Sequence, residues 1–335
     1  MKKRKSNISK KCMILLLPFC FVMLVISLSL LLSGRNCVIT ERNEAQSKTK
    51  ENETTVTVLF HKTGEVKTVN LEEYLMGVVP AEMPPSFNFE ALKAQAVAAR
   101  TYIINRTGVE NETHKNASVC TDSTHCKAYM SDEDSRVKWG SEWDKSYRFK
   151  IEKAVLETKG KIITYMDEPI SAVFHSTSSG KTENSEDVWQ NALPYLRSVV
   201  SEGEEKSPRF NSEVVISTDD FKNKMTELDG QVNLGNNPEK WIGNITYNDS
   251  GSVKNIHIGS GIYKGTQIRN TFGLRSSNFK ITVNEGKIIF SVTGNGHGVG
   301  MSQYGANHAA ENGYTYEQIL KKYYTGVEIK NMNNI

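Results

Sequence analysis

The segment VVPAEMPPSFNFEALKAQAVAARTYI (residues 78–103) places Glu82 among prolines and apolar residues, ahead of an alanine-rich helix. The prolines predict an extended backbone, and burial among such neighbours should raise the pKa of the carboxyl towards neutrality. A carboxyl protonated at working pH is a general acid that can protonate a leaving oxygen. Arg100, in the following helix, could bind a polar or anionic substrate group. The alternative is structural: Glu82 caps the next turn and pairs with Arg100 or Lys93.

A second group of reactive side chains lies in the stretch THKNASVCTDSTHCKAY. It contains four potential metal ligands within 13 residues: His114, Cys120, His125 and Cys126. Two thiolates and two imidazoles complete a tetrahedral zinc site of the structural kind, which leaves no position for an activated water. The predicted role of one zinc ion is therefore to fold a long loop that lacks its own core. Two alternatives stay open, because the cysteines could instead form a disulfide outside the membrane or remain free thiols.

Two further segments have the composition of loops that contact a substrate. FHSTSSGKTENSEDVW supplies small hydroxyl residues, a glycine and Trp189, and GNGHGVGMSQYGA has five glycines around His297. The second segment lacks the lysine of a phosphate-binding loop, so its glycines more simply allow tight turns beside a cleft. We expect His175, Ser176, His297 and Gln303 to bind substrate. For the two histidines, an ordinary buried and hydrogen-bonded position explains the sequence equally well.

The elements that position these residues follow an N-terminal membrane anchor. Residues 1–11 carry six positive charges and no acid, and residues 12–32 are uncharged. A helix of that length crosses a hydrocarbon core of about 30 Å, and its basic flank predicts a cytoplasmic N-terminus with the rest of this single-pass chain outside the cell membrane. Residues 33–54 are polar and form a tether. The alternative of a cleaved signal peptide lacks a small-x-small cleavage site.

The charge distribution argues against nucleic-acid binding. The net charge of +3 comes from the tail, because removing residues 1–11 takes 41 basic residues to 35 against 38 acidic ones, which leaves −3. Residues 55–330 mix helices with mostly antiparallel strands and show no βαβ regularity, which predicts an α+β body of two lobes with a cleft. We expect a β-hairpin around HKTGE, a short helix that ends or bends near Gly77, and a long polar loop over residues 107–140.

Five segments occur in an order and at separations that resemble the SpoIID/LytB family: VVPAEMPPSFNFEALKAQAVAARTY, VCTDSTHCKAY, FHSTSSGKTENSEDVW, PYLRSV and GNGHGVGMSQYGA. The resemblance covers residues 55–327. It implies a lytic transglycosylase that cleaves the bond between N-acetylmuramic acid and N-acetylglucosamine of peptidoglycan during forespore engulfment and leaves 1,6-anhydro ends. The family's essential glutamate falls on Glu82, and an important arginine of the same helix falls on Arg100. The tyrosine and the basic residue of its PYLRSV segment fall on Tyr195 and Arg197, which we expect to bind substrate.

The resemblance also implies partners and a competing function. It implies an amidase, stage II sporulation protein P, that removes stem peptides beforehand, and a membrane scaffold, stage II sporulation protein M. Some relatives in the family are instead non-catalytic activators of an amidase, and zinc has a structural role in only some members. A third class, a zinc-dependent peptidase, is disfavoured because four ligands close the metal site and no H-E-x-x-H arrangement is present.

Overall fold

The computed structural model describes residues 54–109, 112–114 and 116–334 as a mixture of helices and strands, which confirms the predicted α+β class. Its α-helices are α1 (Leu71–Glu82), α2 (Phe89–Arg106), α3 (Asp132–Trp139), α4 (Arg148–Glu157), α5 (Ser185–Val188), α6 (Thr218–Leu228), α7 (Gly265–Phe272), α8 (Gln303–Glu311) and α9 (Tyr316–Tyr323). The predicted tail and anchor, and all but the last residue of the tether, lie outside the described residues. Among the helices that are described, none is both long enough and apolar enough to cross a membrane.

The strands form small sheets rather than one continuous sheet. They are β1 (Thr55–Phe60), β2 (Glu65–Asn70), β3 (Val119–Cys120), β4 (Lys161–Tyr165), β5 (Glu168–Pro169), β6 (Phe174–His175), β7 (Asn211–Ser217), β8 (Ile242–Tyr247), β9 (Val253–Ile258), β10 (Gly261–Lys264), β11 (Phe279–Asn284), β12 (Lys287–Thr293), β13 (Met301–Ser302) and β14 (Glu328–Asn331). The predicted hairpin is confirmed as the antiparallel pair β1–β2, and β3 adds to β1 in parallel. The remaining sheets have the orders β14-β4-β5, β13-β6, β11-β12-β7 and β10-β9-β8.

Helix α2 is the centre of the larger of two hydrophobic cores. Asn88 caps it by accepting a hydrogen bond from the Glu90 N–H at 3.0 Å. Its alanines allow close packing on every side, so that every residue from 91 to 103 except Lys93 is buried. Helices α1, α4, α8 and α9 and strand β4 pack around it. The second core lies between β7–β12–β11, β8–β10, α6 and α7, where Phe221 stacks on Phe272 with ring centroids 5.0 Å apart.

Helix α1 differs from the prediction in a way that matters for Glu82. It does not end at Gly77 but continues through Pro80, so Glu82 is its last helical residue rather than part of an extended segment. Pro80 has no N–H to donate to the carbonyl oxygen four residues earlier, so the helix lacks one hydrogen bond there. The helix ends two residues later, and Met83 is extended with φ −121° and ψ 136°. Gly77 is required for packing, because a Cβ there would lie 2.2 Å from the Tyr129 ring.

The predicted long loop contains a helix that the sequence analysis missed. Helix α3 begins with a capping box between Ser131 and Asp134, in which each side chain accepts from the other residue's backbone N–H. Its side chains are mostly exposed, so it has no apolar face to recognise by periodicity. Ion pairs stabilise it instead, including Arg136 with Asp132 at 2.6 Å.

Candidate functional site

Glu82 points into a partly buried position beside the loop that follows the cysteine pair. Its Oε1 accepts a hydrogen bond from the backbone N–H of Ala128 at 2.7 Å. Burial raises the pKa of this carboxyl, while the charge of Lys127, the Ala128 N–H and the charge of Lys138 oppose the rise. The predicted rise of the pKa is therefore confirmed.

The charges that act on Glu82 are cations. Within the described part of the chain, no second carboxylate is among the groups that shift its pKa. Glycosidases that use a water or an enzyme nucleophile place two carboxyl groups about 5–10 Å apart. The arrangement here supplies a single group that can donate a proton and later accept one.

Sequence reasoning missed Lys127, which is a buried cation next to the acid. Its Nζ lies 3.7 Å from the ring centroid of Phe174 and 4.0 Å from that of Tyr102. Burial lowers the pKa of Lys127 to about 8, although the charge of Glu82 opposes this. The sequence feature that could have indicated Lys127 is its position in the motif HCKAY, where it lies between the predicted metal ligand Cys126 and Ala128, whose N–H binds Glu82.

Two histidines and a tryptophan lie together near this cation. The rings of His175 and His297 are 5.6 Å apart, and Trp189 lies 5.1 Å from His297 with 41% of its surface exposed. The pKa of His297 is lowered by burial first, and then by the charges of His175 and Lys127. Because Lys127 acts on both Glu82 and His297, the acid and the aromatic group face the same region.

Burial favours the neutral form of both histidines, and a backbone contact fixes the position of the ring proton in each. His175 Nδ1 lies 3.2 Å from the carbonyl oxygen of Val299 and donates to it, and burial lowers the pKa of the ring to about 4. Its Nε2 is buried and has no hydrogen-bond partner among the described residues. His297 Nδ1 accepts the Val299 N–H at 3.1 Å, so a proton on the neutral ring lies on Nε2. Gly296 allows its segment to pass close to His175, since a Cβ at position 296 would lie 2.7 Å from the Cβ of His175.

The four predicted metal ligands are brought together. The ligand atoms of His114, Cys120, His125 and Cys126 all lie within 4.8 Å of one another. Cys126 Sγ is 3.4 Å from His114 Nε2 and 3.3 Å from His125 Nδ1. In a tetrahedral zinc site, a sulfur and a nitrogen ligand lie roughly 3.5 Å apart, so these distances are close to those of such a site. His114 Nδ1 lies 2.8 Å from the carbonyl oxygen of Ala117 and donates to it, which leaves Nε2 free as a ligand. Both cysteines are free thiols in this arrangement, and the group could hold a metal ion.

This cluster is connected to the acid by two residues of chain. Cys126 is a ligand of the group, and Ala128, which binds Glu82, is the second residue after it. Tyr74 of α1 is influenced by both sites: burial raises the pKa of its hydroxyl, and the charges of both cysteines and of Glu82 add to the rise. The fold of the cysteine loop therefore determines the environment of Glu82.

Arg100 is not at the surface of this site, which corrects the prediction that it contacts substrate. Its side chain is fully buried, and its guanidinium binds both carboxylate oxygens of Glu72 at 2.9 and 2.6 Å. It also donates to the backbone carbonyls of Lys161 and Val155. The predicted pairing of Glu82 with Arg100 or Lys93 is wrong as well, since Lys93 pairs with carboxylates in α2 and α4. Arg100 joins α1, α2, α4 and β4.

Tyr195 and Arg197 make structural contacts close to the aromatic group. The Tyr195 hydroxyl accepts the Ser171 N–H at 3.1 Å. Arg197 forms a two-pronged ion pair with Glu186, with an Nη1–Oε1 distance of 2.6 Å, and donates to the Leu193 carbonyl. This contact lowers the pKa of Glu186 to about 2. Arg197 thus fixes the loop that carries Trp189.

The other two predicted substrate-binding residues differ in accessibility. Ser176 is partly buried, and its Oγ lies 3.1 Å from Thr177 Oγ1. Gln303 is buried at the start of α8, where its Nε2 donates to Gln95 of α2 at 3.3 Å. The structure therefore gives Gln303 a place in the packing of two helices and leaves Ser176 within reach of solvent.

Comparison with known proteins identifies relatives over most of the chain. A family model described as SpoIID, stage II sporulation protein, matches residues 60–165. The chain is 41% identical over 295 residues to stage II sporulation protein D of Bacillus amyloliquefaciens, which covers 87% of this chain and 83% of that protein. It is also 41% identical over 268 residues to stage II sporulation protein D of Bacillus subtilis, covering 79% and 75%. An amidase enhancer of Bacillus subtilis is 29% identical over 313 residues, covering 76% of this chain and 40% of that protein.

Proposed function

This chain belongs to the SpoIID family of stage II sporulation proteins, and from that premise we propose that it is a peptidoglycan lytic transglycosylase. Its substrate would be glycan strands without stem peptides, cleaved between N-acetylmuramic acid and N-acetylglucosamine during forespore engulfment. The observation that carries the proposal is Glu82: one carboxyl with a raised pKa, surrounded by cations and without a second carboxylate acting on it.

In the proposed reaction Glu82 acts twice. Its protonated carboxyl first gives a proton to the glycosidic oxygen, and the bond from that oxygen to C1 of the muramic acid breaks. The resulting carboxylate then takes the proton of the C6 hydroxyl of the same sugar, whose oxygen bonds to C1 and closes a 1,6-anhydro ring. Glu82 ends protonated, and no water is consumed. Lys127 would stabilise the intermediate carboxylate, while Trp189 offers a flat apolar face for a sugar ring.

Glu82→Gln tests this assignment directly. The amide cannot donate and recover the proton, so release of anhydro ends should fall by at least about 10²–10⁴ while the fold is kept. Digestion in oxygen-18 water, with products weighed by mass spectrometry, separates anhydro ends from hydrolysed ends. Glu133→Gln, an exposed carboxylate of α3, is the control and should keep activity. Reducing ends that carry oxygen-18, or substantial product from Glu82→Gln, would show the mechanism to be wrong.

A second function has support from one relative. The similarity to an amidase enhancer favours a non-catalytic protein that binds peptidoglycan and stimulates an amidase. The same digestion discriminates the two functions: an enhancer alone would release no anhydro ends from bare strands, yet would raise the rate of an added amidase equally with Glu82 or Gln at position 82.

The metal, the membrane anchor and the partners are part of the same proposal. One structural zinc ion would be held by the four ligands of the cysteine loop, and elemental analysis of the purified protein tests it. Zinc-free protein with oxidised Cys120 and Cys126 would overturn it. Residues 12–32 would anchor the protein in the cell membrane with its N-terminus in the cytoplasm, and cross-linking would detect stage II sporulation proteins P and M as neighbours.

A further inference from the structure

A cavity of about 240 Å³ lies on the face of α1 that points away from Glu82. Glu73, Met76 and Gly77 form its α1 wall. Glu82 follows Glu73 by nine residues, which at 3.6 residues per turn places it on the opposite side of the helix. The floor is the ring of Tyr129 and the backbone of Met130, at the point where only a glycine fits. This cavity is therefore separate from the proposed catalytic site.

Charges of both signs line the cavity. Glu73 comes from α1, while Arg148 and Glu152, one helical turn apart, come from α4. Neither glutamate has an ion pair within the described ranges. Asp132 is already neutralised by Arg136 at 2.6 Å, and Arg148 approaches Asp132 only to 3.7 Å. Two unpaired carboxylates, and a guanidinium whose ion pair is this longer contact with Asp132, thus line the cavity.

A buried hydroxyl also faces this space. Ser135 is 1% exposed and lines the cavity, and its Oγ has no hydrogen-bond partner among the residues described. An unpaired buried hydroxyl costs about 1–3 kcal/mol, so native proteins normally provide it with a partner. Here that partner has to come from the cavity itself.

We propose that this cavity binds the zwitterionic head of an amino acid. Its ammonium group lies between the carboxylates of Glu73 and Glu152, and its carboxylate pairs with Arg148. The Ser135 hydroxyl completes the contacts to the head. At about 30 Å³ per water, the volume holds on the order of eight water-sized groups, enough for such a head and a short aliphatic chain.

Three probes of one chain length test which charges the cavity recognises. Norleucine has both charges, 1-aminopentane has only the ammonium and hexanoate only the carboxylate. Saturation-transfer NMR and calorimetry on the full-length protein should show millimolar binding of norleucine and at least about tenfold weaker binding of the other two. Equal binding of 1-aminopentane and norleucine, or no binding of norleucine at tens of millimolar, would overturn the proposal.

Variants locate the binding in this cavity. Glu73→Gln with Glu152→Gln, and separately Arg148→Met, should each weaken norleucine binding by about tenfold or more, whereas Glu133→Gln should leave it unchanged. Unaltered binding in both pocket variants would refute the site. Repeating the titration in Glu82→Gln keeps the result independent of glycan cleavage, so that either proposal can fail alone.

Two sources present this head group, and one comparison distinguishes them. One is a free amino acid, and the other is the free end of a diamino acid in a stem peptide of neighbouring strands that still carry their peptides, an assignment that rests on the proposed function. Binding of a peptide with that end free at least about tenfold more tightly than norleucine assigns the site to the wall. Equal or weaker binding of the peptide assigns it to free amino acids.

Discussion

Replacing Arg100 with methionine separates a structural role from a catalytic one. The substitution removes the guanidinium but keeps an aliphatic stem in the space that it occupies. It leaves the Glu72 carboxylate buried without its partner, a change that typically costs about 3–5 kcal/mol. In a domain of this size, 1 kcal/mol shifts the melting temperature by about 2–4 °C, so the expected decrease is roughly 6–20 °C.

Two measurements on the same samples decide the matter. Thermal unfolding followed by circular dichroism gives the melting temperature, and release of anhydro ends, measured well below it, gives the activity of the folded protein. We expect Arg100→Met to be strongly destabilised but to keep most of its activity per folded molecule. Glu72→Gln should cost a similar amount. The double variant Glu72→Leu/Arg100→Met should recover part of the loss, because two apolar residues replace a buried ion pair.

The opposite result would refute the reasoning. If Arg100→Met melts within about 2 °C of the unmodified protein yet loses about 100-fold or more of its activity, the buried pair contributes little to stability and the guanidinium acts on substrate. That outcome would also require α1 and α2 to separate during catalysis, since Arg100 is fully buried.

Three other predictions concern Glu82, the four candidate metal ligands and Trp189. Lys138→Met removes a charge that lowers the pKa of Glu82; since Glu82 donates its proton first in the proposed reaction, the high-pH limb of kcat/KM, where the acid form is lost, should move to higher pH, and an unchanged or lower limb would contradict this. Cys120→Ser should reduce bound zinc, the melting temperature and the activity together, because the loop that holds the Ala128 N–H loses its support; full activity without zinc would contradict it. Trp189→Ala should raise KM by about tenfold with little change of kcat, and Trp189→Phe should restore most of the binding; an unaltered KM would remove Trp189 from the binding surface.

Features encoded by neighbouring residues could be predicted from the sequence. The β1–β2 hairpin and helix α2 follow from local periodicity and caps. The clustering of four possible metal ligands could be predicted because His114, Cys120, His125 and Cys126 lie within one short segment. The raised pKa of Glu82 was also predicted correctly, although its backbone is helical rather than extended. Composition is enough to predict burial, whereas the end of a helix depends on which contacts stabilise its last turn.

Features that depend on distant contacts could not be predicted. Glu72 is 28 residues from Arg100, and nothing local indicates that the two form a buried pair. Lys127 looks like an ordinary surface lysine until Phe174 and Tyr102 are placed around it. The cavity near Glu73 requires helices α1, α3 and α4 to meet, and α3 itself was read as loop because its stability comes from a capping box and ion pairs.

The position of β1 at the middle of its sheet sets a limit on how the protein can be shortened. β1 pairs with β2 on one side and with β3 on the other, and Leu59 lies opposite Cys120. A deletion that stops before Thr55 removes no strand of this sheet. One that enters β1 would leave the cysteine loop without a neighbouring strand and disturb Glu82 from some 25 residues upstream, so the first strand of the body is part of the architecture that holds this carboxyl.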